Sequence, residues 1–269
     1  MADWAQRDGG GVVAGDLTTT NPYGVILPNS GVNLTYGAWT TITASVPFET
    51  QGLYVCAMIV TSATGQAVFD IGMGTAGNEV VLVQAAYVPS TQQRMTVFRF
   101  PIQVPAGVRL AGRMQANSNT TGTVAVAPYF QRRGFLDEAG LTTSTLYGWT
   151  SASMTAGGPA SSASPTSKGS WVQIMAATAT AHQALAVQLY QFASGVARFW
   201  HTDIGVGAVG AEQVLLADLY MAQQSGTEAD FTEMGPFFVS LPVGTRLSAR
   251  CAVSTAGVST QNMGLRCYS

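Results

Sequence analysis

The side chains able to do chemistry are few in this chain of 269 residues, and two sets of them stand in the same order. Asp70 and Glu79 flank one Gly-rich stretch, and Asp203 and Glu212 flank another. A pair of carboxylates can in principle divide the acid and nucleophile or base roles of glycoside hydrolysis. Downstream of each pair, however, come two arginines four residues apart, Arg109 with Arg113 and Arg246 with Arg250. Residues i and i+4 of a strand share a face. Each arginine pair is therefore placed to bind carboxylates, and the acids are also suited to cap turn amides. Salt bridges are the expected use of Asp70, Glu79, Asp203 and Glu212, ahead of catalysis. A calcium site at Asp70 or Asp203 would need more clustered oxygen ligands than the sequence offers.

The remaining reactive groups are sparse. His182 and His201 have no metal-ligand spacing such as HxxxH. No Gly-x-Ser-x-Gly elbow occurs. Cys56, Cys251 and Cys267 form an odd set without CxxC spacing, so buried free thiols are expected, with a Cys251–Cys267 bridge as the alternative if their strands are neighbours. The stretch Asp-Ile-Gly-x-Gly-x-x-Gly-x-Glu has the glycine density of a phosphate cradle, but Val and Leu follow it where a dinucleotide site needs a helix. It reads as a strand, a Gly turn and a second strand, because glycine supplies the positive φ that turns require. No catalytic residue, cofactor or metal is expected.

These residues belong to a larger repeat. Asp70 to Leu82 and Asp203 to Leu215 agree at eight of thirteen positions. Gly37-Ala38-Trp39 with Ile42 corresponds to Gly169-Ser170-Trp171 with Ile174, Leu53 and Val55 to Leu185 and Val187, and Phe100 to Phe237. Pro105-Ala106-Gly107-Val108-Arg109-Leu110 corresponds to Pro242-Val243-Gly244-Thr245-Arg246-Leu247, a turn feeding a strand, and Tyr129 corresponds to Tyr268. Collinear matches of this kind indicate an internal duplication. Residues 37–130 and 169–269 are the two copies, preceded by an N-terminal arm at 1–36 and joined by a linker at 131–168 whose Ser151–Ser167 portion is rich in Ser, Ala, Gly, Thr and Pro. The arm, with Trp4, Tyr23 and Ile26, either docks on a neighbouring subunit or is a tail with one added strand; Leu141 to Trp149 either packs on a domain surface or starts the second domain.

Within each copy the pattern is that of strands. Leu53 to Val60 is a continuous apolar run between turns, and Ala181 to Phe192 matches it; Thr96 to Phe100 alternates, with Phe98 and Phe100 on one face. Turn residues interrupt these runs every 8–15 residues or so, as in sandwiches and barrels. Ala211 to Gln224 is the best helix candidate, but its counterpart from Asn78 is rich in Val and ends at Pro89, which argues for strand. The expected fold is all-β: two tandem jelly-roll-like β-sandwich domains of about eight strands each.

Composition bounds the partners. Charged residues make up 10% of the chain, against a usual share of about 25%, and net charge is −2 with no basic patch beyond the Arg132-Arg133 pair, so nucleic acid is not an expected partner. The surface is either covered in an assembly or dressed in Thr, Ser and Gln. No apolar run is long enough to span a membrane as a helix, and the N-terminal stretch lacks the pattern of a secretory signal. Exposed aromatic rings can serve as sugar platforms. Tyr190, Trp200 and Tyr220 are the candidates, read as lacking aromatic equivalents in the first copy, whereas Trp39 and Trp171 recur in both and are expected in the core.

The Thr/Ala/Gly/Val-rich strands, the short N-terminus and the turns Asp203-Ile204-Gly205-Val206-Gly207 and Leu241-Pro242-Val243-Gly244-Thr245-Arg246-Leu247 resemble virion structural proteins of tailed bacteriophages and gene-transfer particles, of the head-decoration, head-spike or tail-fibre type. That resemblance implies a non-enzymatic structural protein on the virion exterior, assembled in the host cytoplasm, a homo-oligomer with the trimer favoured, in contact with other virion proteins. The alternative is a carbohydrate-binding receptor-recognition module of a fibre, with host-surface carbohydrate as its ligand.

Overall fold

The computed structural model describes residues 11–13, 24–60, 67–88, 96–117, 122–131, 141–148, 158–162, 164, 166–191, 198–223 and 230–269. Trp4, Tyr23, Trp149 and much of the expected arm and linker lie outside the described residues. Among the described residues all regular elements are strands, and no helix is long and apolar enough to cross a membrane. The chain divides into two compact units, with the break between Thr145 and Leu146.

The first unit contains β1 (Gly11–Val13), β2 (Val25–Pro28), β3 (Thr40–Thr43), β4 (Gly52–Ile59), β5 (Ala67–Met73), β6 (Val80–Val88), β7 (Thr96–Phe100), β8 (Leu110–Ala116) and β9 (Thr123–Gln131). One sheet runs β2-β9-β4-β7, with β1 pairing the other end of β9, and the second runs β3-β8-β5-β6. Then follow β10 (Ser144–Tyr147), β11 (Val172–Met175), β12 (His182–Gln191), β13 (Arg198–Val206), β14 (Gln213–Gln223), β15 (Asp230–Leu241), β16 (Leu247–Val253) and β17 (Asn262–Tyr268). Their sheets run β10-β17-β12-β15 and β11-β16-β13-β14. Counted from β2 and from β10, the two orders are identical. In each set of eight, strands one, eight, three and six form one sheet and strands two, seven, four and five the other. That interleaving is the double Greek key of a jelly roll.

The count places one strand of each sandwich outside the duplicated stretches. Val25–Pro28 pairs along β9, within the expected arm, and Ser144–Tyr147 is an edge strand within the expected linker. The helix candidate at 211–224 is β14, paired along β13.

Alternation fills each core. In β4, Leu53, Val55, Ala57 and Ile59 are buried while Tyr54, Cys56 and Met58 are partly exposed. Phe98 stacks on Phe100 at 5.8 Å and meets Phe69 edge-on at 5.5 Å. The second core gathers Leu185, Val187 and Leu189 from β12, Trp200 and Ile204 from β13, Leu247, Ala249, Cys251 and Val253 from β16, and Met263, Leu265 and Cys267 from β17. Burial of each such side chain is worth roughly 1.5–3 kcal/mol.

Candidate functional site

The duplicated acid–arginine set forms one construction, built twice. β5 and β8 pair with Asp70 opposite Arg113, and β13 and β16 pair with Asp203 opposite Arg250. Arg113 Nε donates to Asp70 at 2.9 Å, and Arg250 Nε donates to Asp203 at 2.9 Å. Each acid also accepts a backbone N–H from a residue of the neighbouring strand held at positive φ, Ala85 (φ 47°) at 2.8 Å and Asp218 (φ 52°) at 2.9 Å. Both lie where the pairing register of the hairpin shifts. Each arginine lies over an indole, Arg113 at 4.5 Å from Trp39 and Arg250 at 4.5 Å from Trp171.

The indole in turn explains the glycine of Asp-Ile-Gly. A Cβ on Gly72 would stand 2.9 Å from the Trp39 ring, and one on Gly205 would stand 2.8 Å from the Trp171 ring. Trp39 and Trp171 are thus half-buried clamps between a glycine and a guanidinium, not the core residues expected of them. The contacts made from the position before Gly37 and Gly169 differ between copies. The Tyr36 hydroxyl donates to Asp70 at 2.9 Å, whereas Lys168 Nζ lies 2.5 Å from both Asp203 and Asp218.

The second acid of each pair holds the turn. Glu79 accepts from the Gly77 N–H at 3.0 Å and from Arg109 at 2.8 Å; Glu212 accepts from the Gly210 N–H at 2.9 Å and from Arg246 at 2.9 Å. Arg109 and Arg246 also donate to the carbonyls of Gly74 and Gly207 at 3.2 and 3.0 Å. The Arg109 hydrogen bond leads the effects that hold the Glu79 carboxyl below its ordinary value. At Asp203, burial pushes the carboxyl up, and Lys168, the Asp218 amide and Arg250 together more than reverse that push. A carboxylate stabilised in its charged form and saturated with donors is a poor proton carrier at neutral pH. The geometry suits these acids to a structural role.

The three candidate aromatics separate. Trp200 points inward and is fully buried in the second core, and Tyr190 is 1% exposed on a strand buried on both faces, so neither is a surface platform. Trp200 is turned inward by alternation, since Thr202 and Ile204 share its parity and burial. Tyr220 is 47% exposed. It does have a counterpart: Tyr87 faces Val68 across β5–β6 as Tyr220 faces His201 across β13–β14, but Tyr87 is buried. Sequence reading missed the companions of Tyr220. Phe199, 48% exposed, lies nearly parallel to it with centroids 6.0 Å apart, and His201, also exposed, meets it edge-on at 5.5 Å.

Elsewhere the reactive groups stand apart. His182 is buried and hydrogen-bonds the Tyr147 hydroxyl at 2.9 Å, and burial lowers its pKa. All three cysteines are free, so the Cys251–Cys267 bridge is absent: β16 and β17 belong to different sheets. Burial pushes both of those thiols up to about 12. Two open depressions lie in the second unit. One, of about 510 Å³, is lined by Val206, Leu215, Leu241, Pro242 and Arg246; the other, of about 420 Å³, is lined by Ser161, Ser162, Lys168, Ser170 and Val172. In the second, the Lys168 ammonium is held by Asp203 and Asp218. Among the described residues no group of three or more His, Cys, Asp or Glu side chains could hold a metal ion.

No family model matches the chain, and no curated protein matches it. Solved structures with a related arrangement of strands include the N-terminal CBM22-1–CBM22-2 tandem domain of Paenibacillus barcinonensis Xyn10C, at 10% identity and TM-score 0.28, covering 95% of this chain and 98% of that one. Another is broad bean stain virus, at 8% identity and TM-score 0.32, covering 96% and 87%. Tripeptidyl peptidase 2 is similar at 9% identity and TM-score 0.31; the match covers 98% of this chain and 23% of the peptidase, so the chain spans under a quarter of its length. At these identities and TM-scores the likeness assigns no function. The chain is a tandem pair of jelly-roll sandwiches.

Proposed function

We propose that this protein is a non-enzymatic structural component of a virus particle, of the tailed-phage head-decoration or small-fibre kind, that works through contacts between subunits. The observation supporting this reading is the disposition of charge. Asp70, Glu79, Arg109, Arg113, Lys168, Asp203, Glu212, Asp218, Glu233, Arg246, Arg250 and Arg266 all stand in internal ion pairs, out of only 12 basic and 14 acidic residues in the chain. Large apolar side chains are exposed at the same time, among them Val80, Val97, Val209, Val214, Phe238 and Val258. A surface of that kind is weakly protected against association and suits burial against other subunits. The partners in this reading are sister subunits, most simply in a trimer, and other proteins of the particle; the place is the virion.

The test is the mass of the purified protein by light scattering after size exclusion. A discrete trimer or larger closed ring is expected. A monomer across the whole accessible concentration range overturns the reading.

A second reading, a carbohydrate-recognition module of a fibre, is favoured by the exposed rings of Phe199, His201 and Tyr220, which lie together on one strand pair of the second sandwich.

A further inference from the structure

We propose that the outer face of the β13–β14 hairpin is a binding site for a neutral pyranose chain, with the rings of Phe199 and Tyr220 as its stacking platform. The inference rests on the second reading above and gives it a site and a ligand class.

Alternation and register assemble the platform. Phe199 and His201 share a parity on β13, opposite to the inward Trp200 and Thr202, and His201 pairs with Tyr220 across the hairpin. The two larger rings are inclined by only 19°. Their end of β13 is pinned from the other side, since the Phe199 N–H donates to Ser254 Oγ at 3.0 Å and the Ser254 N–H donates to the Phe199 carbonyl at 3.0 Å. The rings therefore sit on paired strands, positioned before a ligand arrives. That lowers the entropic cost of binding.

The chemistry around the rings selects the ligand. A pyranose presents an apolar C–H face that packs on an aromatic ring and a rim of hydroxyls that needs donors and acceptors. The next outward position along β13 is Asp203, inside the cluster of Arg250, Lys168 and Asp218. The Asp218 side chain is 64% exposed there and offers a carboxylate to solvent. Two cations face two anions in that cluster, so it offers hydrogen bonds without an excess of either charge. An acidic sugar gains nothing from it, and a neutral one is accommodated. The first sandwich supplies an internal contrast. Val68 and Tyr87, the equivalents of His201 and Tyr220, are 0% and 1% exposed, so the first copy does not present the Tyr220 ring position to solvent.

The test is saturation-transfer NMR on the full chain with cellohexaose, maltohexaose, mannohexaose and, as the acidic comparison, hexagalacturonate, each at millimolar concentration. At least one neutral hexaose is expected to bind, with its C–H protons receiving saturation. Phe199→Ala and Tyr220→Ala should each weaken it about tenfold, while Tyr220→Phe should stay within about twofold, as a stacking contribution implies. Ala222→Arg, which sets a long side chain beside Phe199 without removing a ring, should also block binding, and unchanged thermal melts exclude misfolding as the cause. Binding of a neutral hexaose that ignores Phe199→Ala, Tyr220→Ala and Ala222→Arg overturns the site while the carbohydrate reading stands. Preference for hexagalacturonate overturns the ligand class alone. No binding by any of the four overturns both. If the substitutions instead lower the mass in solution, the face is a subunit interface and the proposal falls.

Discussion

Asp203 is 1% exposed, and donors from three separate segments converge on it: Lys168 ahead of β11, the Asp218 amide on β14 and Arg250 on β16. Removing the acid would leave the part-buried Asp218 amide without its acceptor and leave two cations that are 24% and 32% exposed and can turn to water. Asp203→Ala is therefore expected to cost about 2–3 kcal/mol, below the usual penalty for breaking a fully buried pair, measured by denaturant unfolding. The pH dependence has a definite sign. The folded-state pKa of Asp203 lies below its ordinary value of 3.8, so the stability it contributes is present above that value and is lost as pH falls through the folded-state pKa. The advantage of the wild type over Asp203→Asn should hold from pH 7 down to about pH 5 and shrink steadily under stronger acid. An advantage that grows on acidification would contradict the assignment. Gly205 can be tested in the same assay. Gly205→Ala drives a methyl into the Trp171 ring and should cost about 1–3 kcal/mol, as overpacking does. The double variant with Trp171→Leu should recover part of that loss.

At the scale of the strand, the hairpins β5–β6 and β13–β14 share an irregularity at Ala85 and Asp218. Each turns one backbone N–H towards the buried acid by adopting positive φ, a conformation that costs an L-residue roughly 1–2 kcal/mol and that the acid's hydrogen bond offsets. Ala85→Gly relieves that strain and should be neutral or mildly stabilising. Ala86→Gly, one residue on and equally buried, should cost about 1 kcal/mol. Thermal unfolding of the two variants side by side checks the contrast. Much of this hairpin was legible in the sequence, because Asp-x-Gly, the turn glycines and Glu recur at fixed spacing. Less could be read where one strand carries apolar residues at both parities. In Arg198-Phe199-Trp200-His201-Thr202 nothing in the order says which ring faces out, and only pairing with β14 and β16 settles it. Tyr190 misleads for a similar reason: it ends a run from Ala184 that is buried on both faces. The first strand of each sandwich was unreadable as a repeat, since Val-Ile-Leu-Pro and Ser-Thr-Leu-Tyr share the strand habit and a single leucine, Leu27 with Leu146.

At the scale of the whole chain, eight strands per sandwich means that the duplicated stretch is shorter than the folding unit. A fragment of residues 141–269 carries β10 with the other seven strands. A fragment of 169–269 lacks it, and with it Tyr147, its hydrogen bond to His182 and its place against the second core. The shorter fragment also leaves β17 with an unpaired edge, a known route to aggregation. The longer fragment is expected to melt at least about 10 °C higher than the shorter one, given a shift of roughly 4–8 °C per kcal/mol for domains near 100 residues. Equal melting temperatures would show that the sandwich closes without β10.

The contacts that differ between the two acid clusters make each copy depend on its own pair of residues. Where one copy has Tyr36 and Ala85, the other has Lys168 and Asp218, and the ammonium bridges Asp218 and Asp203. Asp218 without Lys168 would set two acids side by side at a bulge, with Arg250 already committed to the buried one. Lys168 without Asp218 still has Asp203 to bind. The carboxylate therefore requires the ammonium, and a transplant into the first copy should show that dependence: Ala85→Asp alone damages it, and Tyr36→Lys beforehand makes the same change tolerable.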